Sequence, residues 1–285
     1  MRYLITGFFL FFCSSTANSY VNYAFSHDPI DIVIPCAEKD IPLLDLCIEG
    51  IEKNVENLGR IILVSKEPYT DKAEWFNEEL YPFTKFDLGL AIYNQDEEKA
   101  EEFALKCPRV GWVYQQFLKL YAPFVIPNIS SNVLIVDADV IFYRSVKFTG
   151  KGGAGLYNVG DEYHEPYFKH MHQLLPELNK VFPEYSGICH HMLFQRVVLE
   201  DLFSMIETRH GVPAWQAICQ CIDQREILRS SFSEYEIYFN FVFSQTRQVK
   251  VRPLKWLNAA DISPKKRAYH KSSGFDYVAY HAYLR

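Results

Sequence analysis

Between residues 31 and 136 the chain alternates short β-rich apolar runs with segments whose apolar residues recur at helical spacing. This alternation limits the folds open to it more than any other feature. DIVIPC (31–36) is a strand-like run ended by a proline, and IPLLDLCIEGIEKNV (41–55) follows at helical spacing. RIILVSK (60–66) is a second buried-type strand. DKAEWFNEEL (71–80) predicts a helix opened by Asp71, and GWVYQQFLKLYAP (111–123) predicts another, stopped by Pro123. Residues 133–136, within NVLIVDADVIF, close the series as a strand. Strand, helix, strand, helix, helix, strand is the rhythm of a parallel sheet wrapped by helices.

The second half is less regular. EPYFKHMHQLLPEL and VLEDLFSMIETRHG predict helices, and EYEIYFNFVFSQ fits helix or strand equally. No repeat, low-complexity linker or composition break divides the chain, so one α/β domain over residues 20–285 is expected. With 285 residues, 49% of them hydrophobic, the chain is long enough to bury a sizeable core. A net charge of −6 argues against a nucleic-acid binder. The one basic cluster, KKR at 265–267, reads as a solvated loop.

Residues 1–19 have the pattern of a cleavable export signal. Arg2 supplies the positive start, an apolar stretch runs from Leu4 to Cys13, and Ala17 and Ser19 stand at the −3 and −1 positions before Tyr20. The stretch is shorter than the roughly 17–25 residues that cross a bilayer, and no other segment has that length and apolarity. A secreted, periplasmic or secretory-pathway protein is expected, with a short uncleaved anchor as the alternative. Of the remaining cysteines, Cys36 and Cys47 lie in apolar stretches and read as core, and the absence of a C-x-x-C pair argues against structural zinc.

Two aspartates interrupt the apolar run at residues 137 and 139. A strand ending at Val136 would deliver both to the carboxyl edge of a parallel sheet, where open α/β folds bind ligands. Residues two apart on an extended chain point the same way. Two carboxylates side by side repel unless a cation lies between them. A hard divalent ion, Mg²⁺ or Mn²⁺, takes oxygen ligands and keeps positions open for phosphates, so the pair suggests a metal clamping a diphosphate. The alternative is a turn in which the aspartates cap backbone amides.

IVIP…EKD, QQFLKLYA, LIVDADVIFYR, HHMLF and SEYEIYFNF occur in that order. The ordered set resembles the GT-A class of nucleotide-sugar glycosyltransferases. More closely it resembles a bacterial and viral family of unknown function (number 6492), itself similar to the glycosyltransferase 8 and 32 groups. The resemblance implies a Rossmann-like, mixed but mostly parallel sheet flanked by helices. The nucleotide half would span about residues 30–145 and the acceptor half about 146–285. It implies a hexosyltransferase-type enzyme with a nucleotide-sugar donor, a divalent cation on Asp137 and Asp139, and a carbohydrate, lipid or protein acceptor. Pro35, Glu38 and Ser65 would lie on the rim that holds base and ribose, and Gln115, Gln116 and Lys119 would line the donor pocket. His190 and His191 are candidates for sugar contact, with His191 assigned to catalysis beside Asp139. Glu234, with Glu236 nearby, is the candidate base. His281 would be a third metal ligand, although the glycine and lysine that follow it in glycosyltransferase 8 proteins are replaced here by AYLR. Two rivals are a haloacid-dehalogenase-like phosphatase, whose first motif LIVDADVIF also resembles, and a non-catalytic carbohydrate-binding protein on a transferase scaffold.

The export reading has a direct check. N-terminal sequencing of protein from its native cell should begin at Tyr20; an intact Met1 would reject cleavage.

Overall fold

The computed structural model describes residues 20–281 and 284. The expected leader, residues 1–19, lies outside the described residues. In chain order the strands and helices are β1 (Ile30–Pro35), α1 (Ile41–Asn54), β2 (Leu58–Ser65), β3 (Glu74–Asn77), α2 (Lys85–Ile92), α3 (Glu97–Lys106) and α4 (Val110–Val125). β4 (Asn132–Val136), β5 (Val140–Phe142), β6 (Leu156–Tyr157), α5 (Glu165–Leu174), β7 (His191–Gln195), α6 (Arg196–His210) and α7 (Ala214–Gln220) follow. The series ends with α8 (Glu234–Gln245), β8 (Lys250–Val251), β9 (Trp256–Asn258), α9 (Pro264–Ser272) and β10 (Tyr277–Ala279).

The main sheet has five strands in the order β3-β2-β1-β4-β7. The first four run parallel, and β7 joins β4 antiparallel at the edge, with Val136 opposite His191. Every residue of β1 and β4 is buried, as expected of central strands covered on both faces. The fold is therefore the mixed, mostly parallel α/β sheet flanked by helices that the sequence implies. One apolar cluster runs from Tyr23 to Ala279, so the described residues share a core. A second, three-stranded sheet, β5-β10-β9, has its own small cluster of Leu43, Ile141, Val278 and Tyr280.

Several expectations change. Residues 71–80 contain an edge strand and a 3₁₀ turn rather than a helix. Pairing with β2 and a bond from the Trp75 indole to the Ser65 carbonyl (3.2 Å) override local helix propensity. Pro123 does not stop α4, which continues to Val125. A proline in the last turn forfeits one backbone bond, the one its N–H would have made to the Lys119 carbonyl. The ambiguous EYEIYFNFVFSQ is helix α8, capped by the Ser233 hydroxyl. It is buried on all faces, so its sequence carries no amphipathic period. KKR lies on α9 rather than in a loop, started by the Ser263 cap and Pro264.

The amino end of the sheet is tied by Asp31. It is 4% exposed, accepts from the Arg60 and Ser130 amides (2.8 and 2.9 Å), and pairs with the Arg60 guanidinium at 3.2 Å. This knot joins β1, β2 and the approach to β4 at the edge opposite Asp137. Asp31→Ala strands two amides and should cost about 2–3 kcal/mol in urea unfolding.

Candidate functional site

The parallel strands deliver Pro35, Ser65 and Asp137 to one rim. Beyond Val136 the chain turns at residues 137–140, with the Val140 amide donating to the Asp137 carbonyl (3.1 Å), and re-enters as β5 of the small sheet. The aspartates thus stand on a turn between two sheets, not on an extended strand, and both side chains still line the same cavity. Two neighbours fix the turn. The Asp137 amide donates to the His190 carbonyl (3.0 Å), and the Tyr280 amide donates to the Asp139 carbonyl (2.9 Å). The second contact carries β10 to the site and sets His281 beside Asp139, with Nδ1 3.0 Å from Oδ2. Asn258, at the end of β9, holds the other ring nitrogen (3.1 Å).

Lys119 comes from α4. Its side chain is 5% exposed, and its ammonium lies 2.7 Å from Asp137 Oδ1 and 2.9 Å from Glu234 Oε1. Burial pulls the lysine down, but the two carboxylates outweigh it and hold Lys119 above its ordinary range. Burial likewise opposes the charge on Asp137. Lys119 and His190 overcome it and keep Asp137 well below the usual carboxylate range. Glu234 is held above its ordinary value by burial, against the pull of Lys119. The positive charge that a pair of carboxylates requires is therefore supplied in part by the chain itself.

These groups line an inner chamber of about 310 Å³. Its wall carries five carboxylates (Asp40, Asp137, Asp139, Glu162 and Glu234) against three cations (Lys39, Arg109 and Lys119). The excess is anionic. An outer chamber of about 580 Å³ shares Lys39, Arg109, Trp112 and Gln115 with it and extends over the sheet rim to Tyr69. The two form one groove across the carboxyl ends of the strands.

Most of the expected site residues meet in this groove. Pro35 and Glu38 line the outer chamber, Gln115 lines both, and Gln116 and Lys119 line the inner one. Glu234, Asp137, Asp139 and His281 also face the inner chamber. Three candidates do not. Ser65 is fully buried, its hydroxyl donating to the Glu67 carbonyl (2.6 Å). Glu236 is spent on structure, accepting from the Ser186 hydroxyl, the Gly187 amide and the Asn240 amide group. His191 sits in β7 with its ring packed against Phe142, Phe148 and Tyr277, 2% exposed, and burial lowers its pKa to about 3. It is a neutral core histidine.

His190 takes the place expected of His191. It precedes the strand in a left-handed conformation (φ 63°), uncommon for a non-glycine residue, and this turns its ring into the inner chamber. There Nδ1 lies 3.7 Å from Asp137 Oδ2, and the ring meets those of Trp256 and His281. Sequence reasoning missed Arg109, Trp112, Glu162, Tyr167, Tyr235 and Asn258. Arg109 and Trp112 had a visible signal, since with Gln116 and Lys119 they follow helical spacing along one face. The others depend on contacts distant in sequence.

Among the described residues no three His, Cys, Asp or Glu side chains converge at metal-ligand spacing. Two observations nevertheless fit a cation. Asp139 Oδ1 and His190 Nε2 are buried without a hydrogen-bond partner, and the chamber wall is anionic.

A groove across the carboxyl edge of a mostly parallel sheet, ending in an aspartate pair, lies where open α/β folds take their ligands. A family model described as "Family of unknown function (DUF6492)" matches residues 37–279, and the chain belongs to that family. No curated protein matches. Among solved structures, the apo form of mouse xyloside xylosyltransferase 1 is similar at 10% sequence identity, with a TM-score of 0.42, over 90% of this chain and 99% of that chain.

The Lys119 bridge makes a stability prediction. Lys119→Met leaves two buried carboxylates facing each other and should cost about 3–5 kcal/mol in urea unfolding. Adding Glu234→Gln should restore part of the loss; strictly additive costs would show that the three groups do not act as a unit.

Proposed function

We propose that the protein is a glycosyltransferase that takes its sugar from a nucleotide-diphosphate donor with the help of a divalent cation. The observation that carries this reading is the two-chambered groove. Its outer part offers aromatic side chains (Tyr69, Trp112 and Tyr114) for a base and ribose, and its inner part is anionic and holds Asp137 and Asp139. A diphosphate enters an anionic chamber only with positive charge. Asp137, Asp139 and His281 are the residues that would hold a cation, which when bound supplies charge neutralisation for the leaving diphosphate. Lys119 adds an ammonium fixed in the same chamber. Such fixed charge needs no reorganisation as the anomeric carbon–oxygen bond breaks.

The acceptor hydroxyl attacks the anomeric carbon, the nucleoside diphosphate leaves, and the hydroxyl proton passes to a base. Glu234 is that base in an inverting reaction. It lines the chamber, and burial raises its proton affinity against the pull of Lys119. His190, with Nε2 unpartnered, is placed to donate to or accept from donor or acceptor oxygens. The phosphatase reading is not favoured. Its motif opens a domain, whereas β4 here follows three strands and leads out of the main sheet into β5. The site of action that we propose, the secretory pathway or periplasm, rests on the composition of residues 1–19 alone.

Calorimetry with uridine diphosphate, in Mn²⁺ and in excess EDTA, tests the reading. Binding should be strong in Mn²⁺ and largely lost in EDTA, and Asp139→Asn should lower donor turnover by about 10²–10³. Equal affinity in EDTA would remove the cation from the model. Phosphatase activity with a phosphoryl group trapped on Asp137 would replace the transferase reading altogether.

A further inference from the structure

A second cavity, of about 510 Å³, opens between α5 and residues 221–231. Its volume lies within the roughly 300–1,000 Å³ of small-molecule sites. Residues 162–167 and 231–233 form a partition between it and the inner chamber. In residues 162–167, Glu162 and Tyr167 face the inner chamber while Tyr163 and His164 line the second cavity. Across from them Ser233 lines the first and Ser231 the second. His164 staples the partition, its Nε2–H donating to the Arg229 and Ser230 carbonyls (2.7 and 2.9 Å).

The chemistry of the wall limits the ligand. Its three cations each face a carboxylate of the same wall: Lys169 with Glu165 at 3.0 Å, Arg225 with Asp223 at 2.7 Å, and Arg229 with Glu226 at 3.5 Å. No net charge is left to select an ionic ligand, yet the surface is densely polar. Three lining residues have a polar atom without a hydrogen-bond partner: Glu226, at the carboxylate oxygen beside Arg229, and two on the floor. His170, 1% exposed, donates from Nε2 to the Ile218 carbonyl (2.9 Å), and its Nδ1 is unmatched. Burial lowers this ring to about 4, so at neutral pH Nδ1 is an acceptor. Ser231, 2% exposed, has an unpartnered hydroxyl. At the rim Tyr163 is 68% exposed and stacked on Phe168 at 5.1 Å. An aromatic face over a neutral, hydroxyl-matching floor suits a sugar ring, which presents C–H groups on one face and hydroxyls at its edge.

We propose that this cavity is a subsite for a neutral saccharide, holding the distal sugar units of an acceptor glycan whose reacting hydroxyl lies across the partition in the inner chamber. The inference rests on the transferase reading for the word acceptor, while saccharide binding stands by itself. The test is saturation-transfer NMR and calorimetry with cellobiose, lactose, maltose and xylotriose, without nucleotide. Wild type should bind at least one of them at millimolar concentration. Tyr163→Ala, a change at an exposed position, and Gln173→Ala, on the α5 wall of the same cavity, should each weaken that binding, the first by about tenfold. Asp139→Asn should leave it unchanged. Binding lost in Asp139→Asn and intact in Tyr163→Ala would put the sugar in the inner chamber and overturn the subsite. So would no binding of any of the four, or binding confined to sulfated or uronic oligosaccharides. Failure of uridine diphosphate to bind, measured separately, bears on the transferase reading and not on this one.

Discussion

The ammonium of Lys119, between Asp137 and Glu234, is the contact on which the groove depends. It joins three elements at one point: the middle of α4, the turn after β4 and the first turn of α8. Without it, the first turn of α8 would bring a buried carboxylate against the aspartate turn, and like charges in a medium of low polarity repel strongly. Tyr235 adds to the same knot, its ring 4.4 Å from the ammonium and its hydroxyl reaching toward Asp137 Oδ1 (3.5 Å). The charges are held in place by these contacts, which is the arrangement that the proposed diphosphate binding would use.

Much of the fold in the first half of the chain was legible because its signals are local. The buried runs that became β1, β2 and β4, and the helical spacing of α1 and α4, need no knowledge of the rest of the chain. The aspartate pair was legible for the same reason. What sequence reasoning lost were elements decided by distant partners. Residues 74–77 are a strand because β2 lies beside them, and α8 shows no period because the core surrounds it. The small sheet that delivers His281 and Asn258 pairs β5 with a strand more than 130 residues later in the chain. No local pattern announces that pairing.

The two adjacent histidines show how fine the distinction can be. His191 has the sheet geometry of β7, so its side chain must go to one face or the other, and it goes into the aromatic core. His190 escapes that rule by leaving the β region altogether. A positive φ at a non-glycine residue carries a cost on the order of 1–3 kcal/mol, and such costs persist where the surroundings impose them. Here the bond from the Asp137 amide to the His190 carbonyl does so, and Glu236 holds the approaching loop at Ser186 and Gly187. Glu236 itself does not line the chamber.

The pairing of Asp139 with His281 spans 142 positions of the chain, and that of Lys119 with Glu234 bridges from the first half to the second. Closing loops of that size costs chain entropy before any contact rewards it. Both pairings join parts of the wall that lie far apart in sequence, so the side chains around the two aspartates come together only where β10 lies against β5 and α8 against α4.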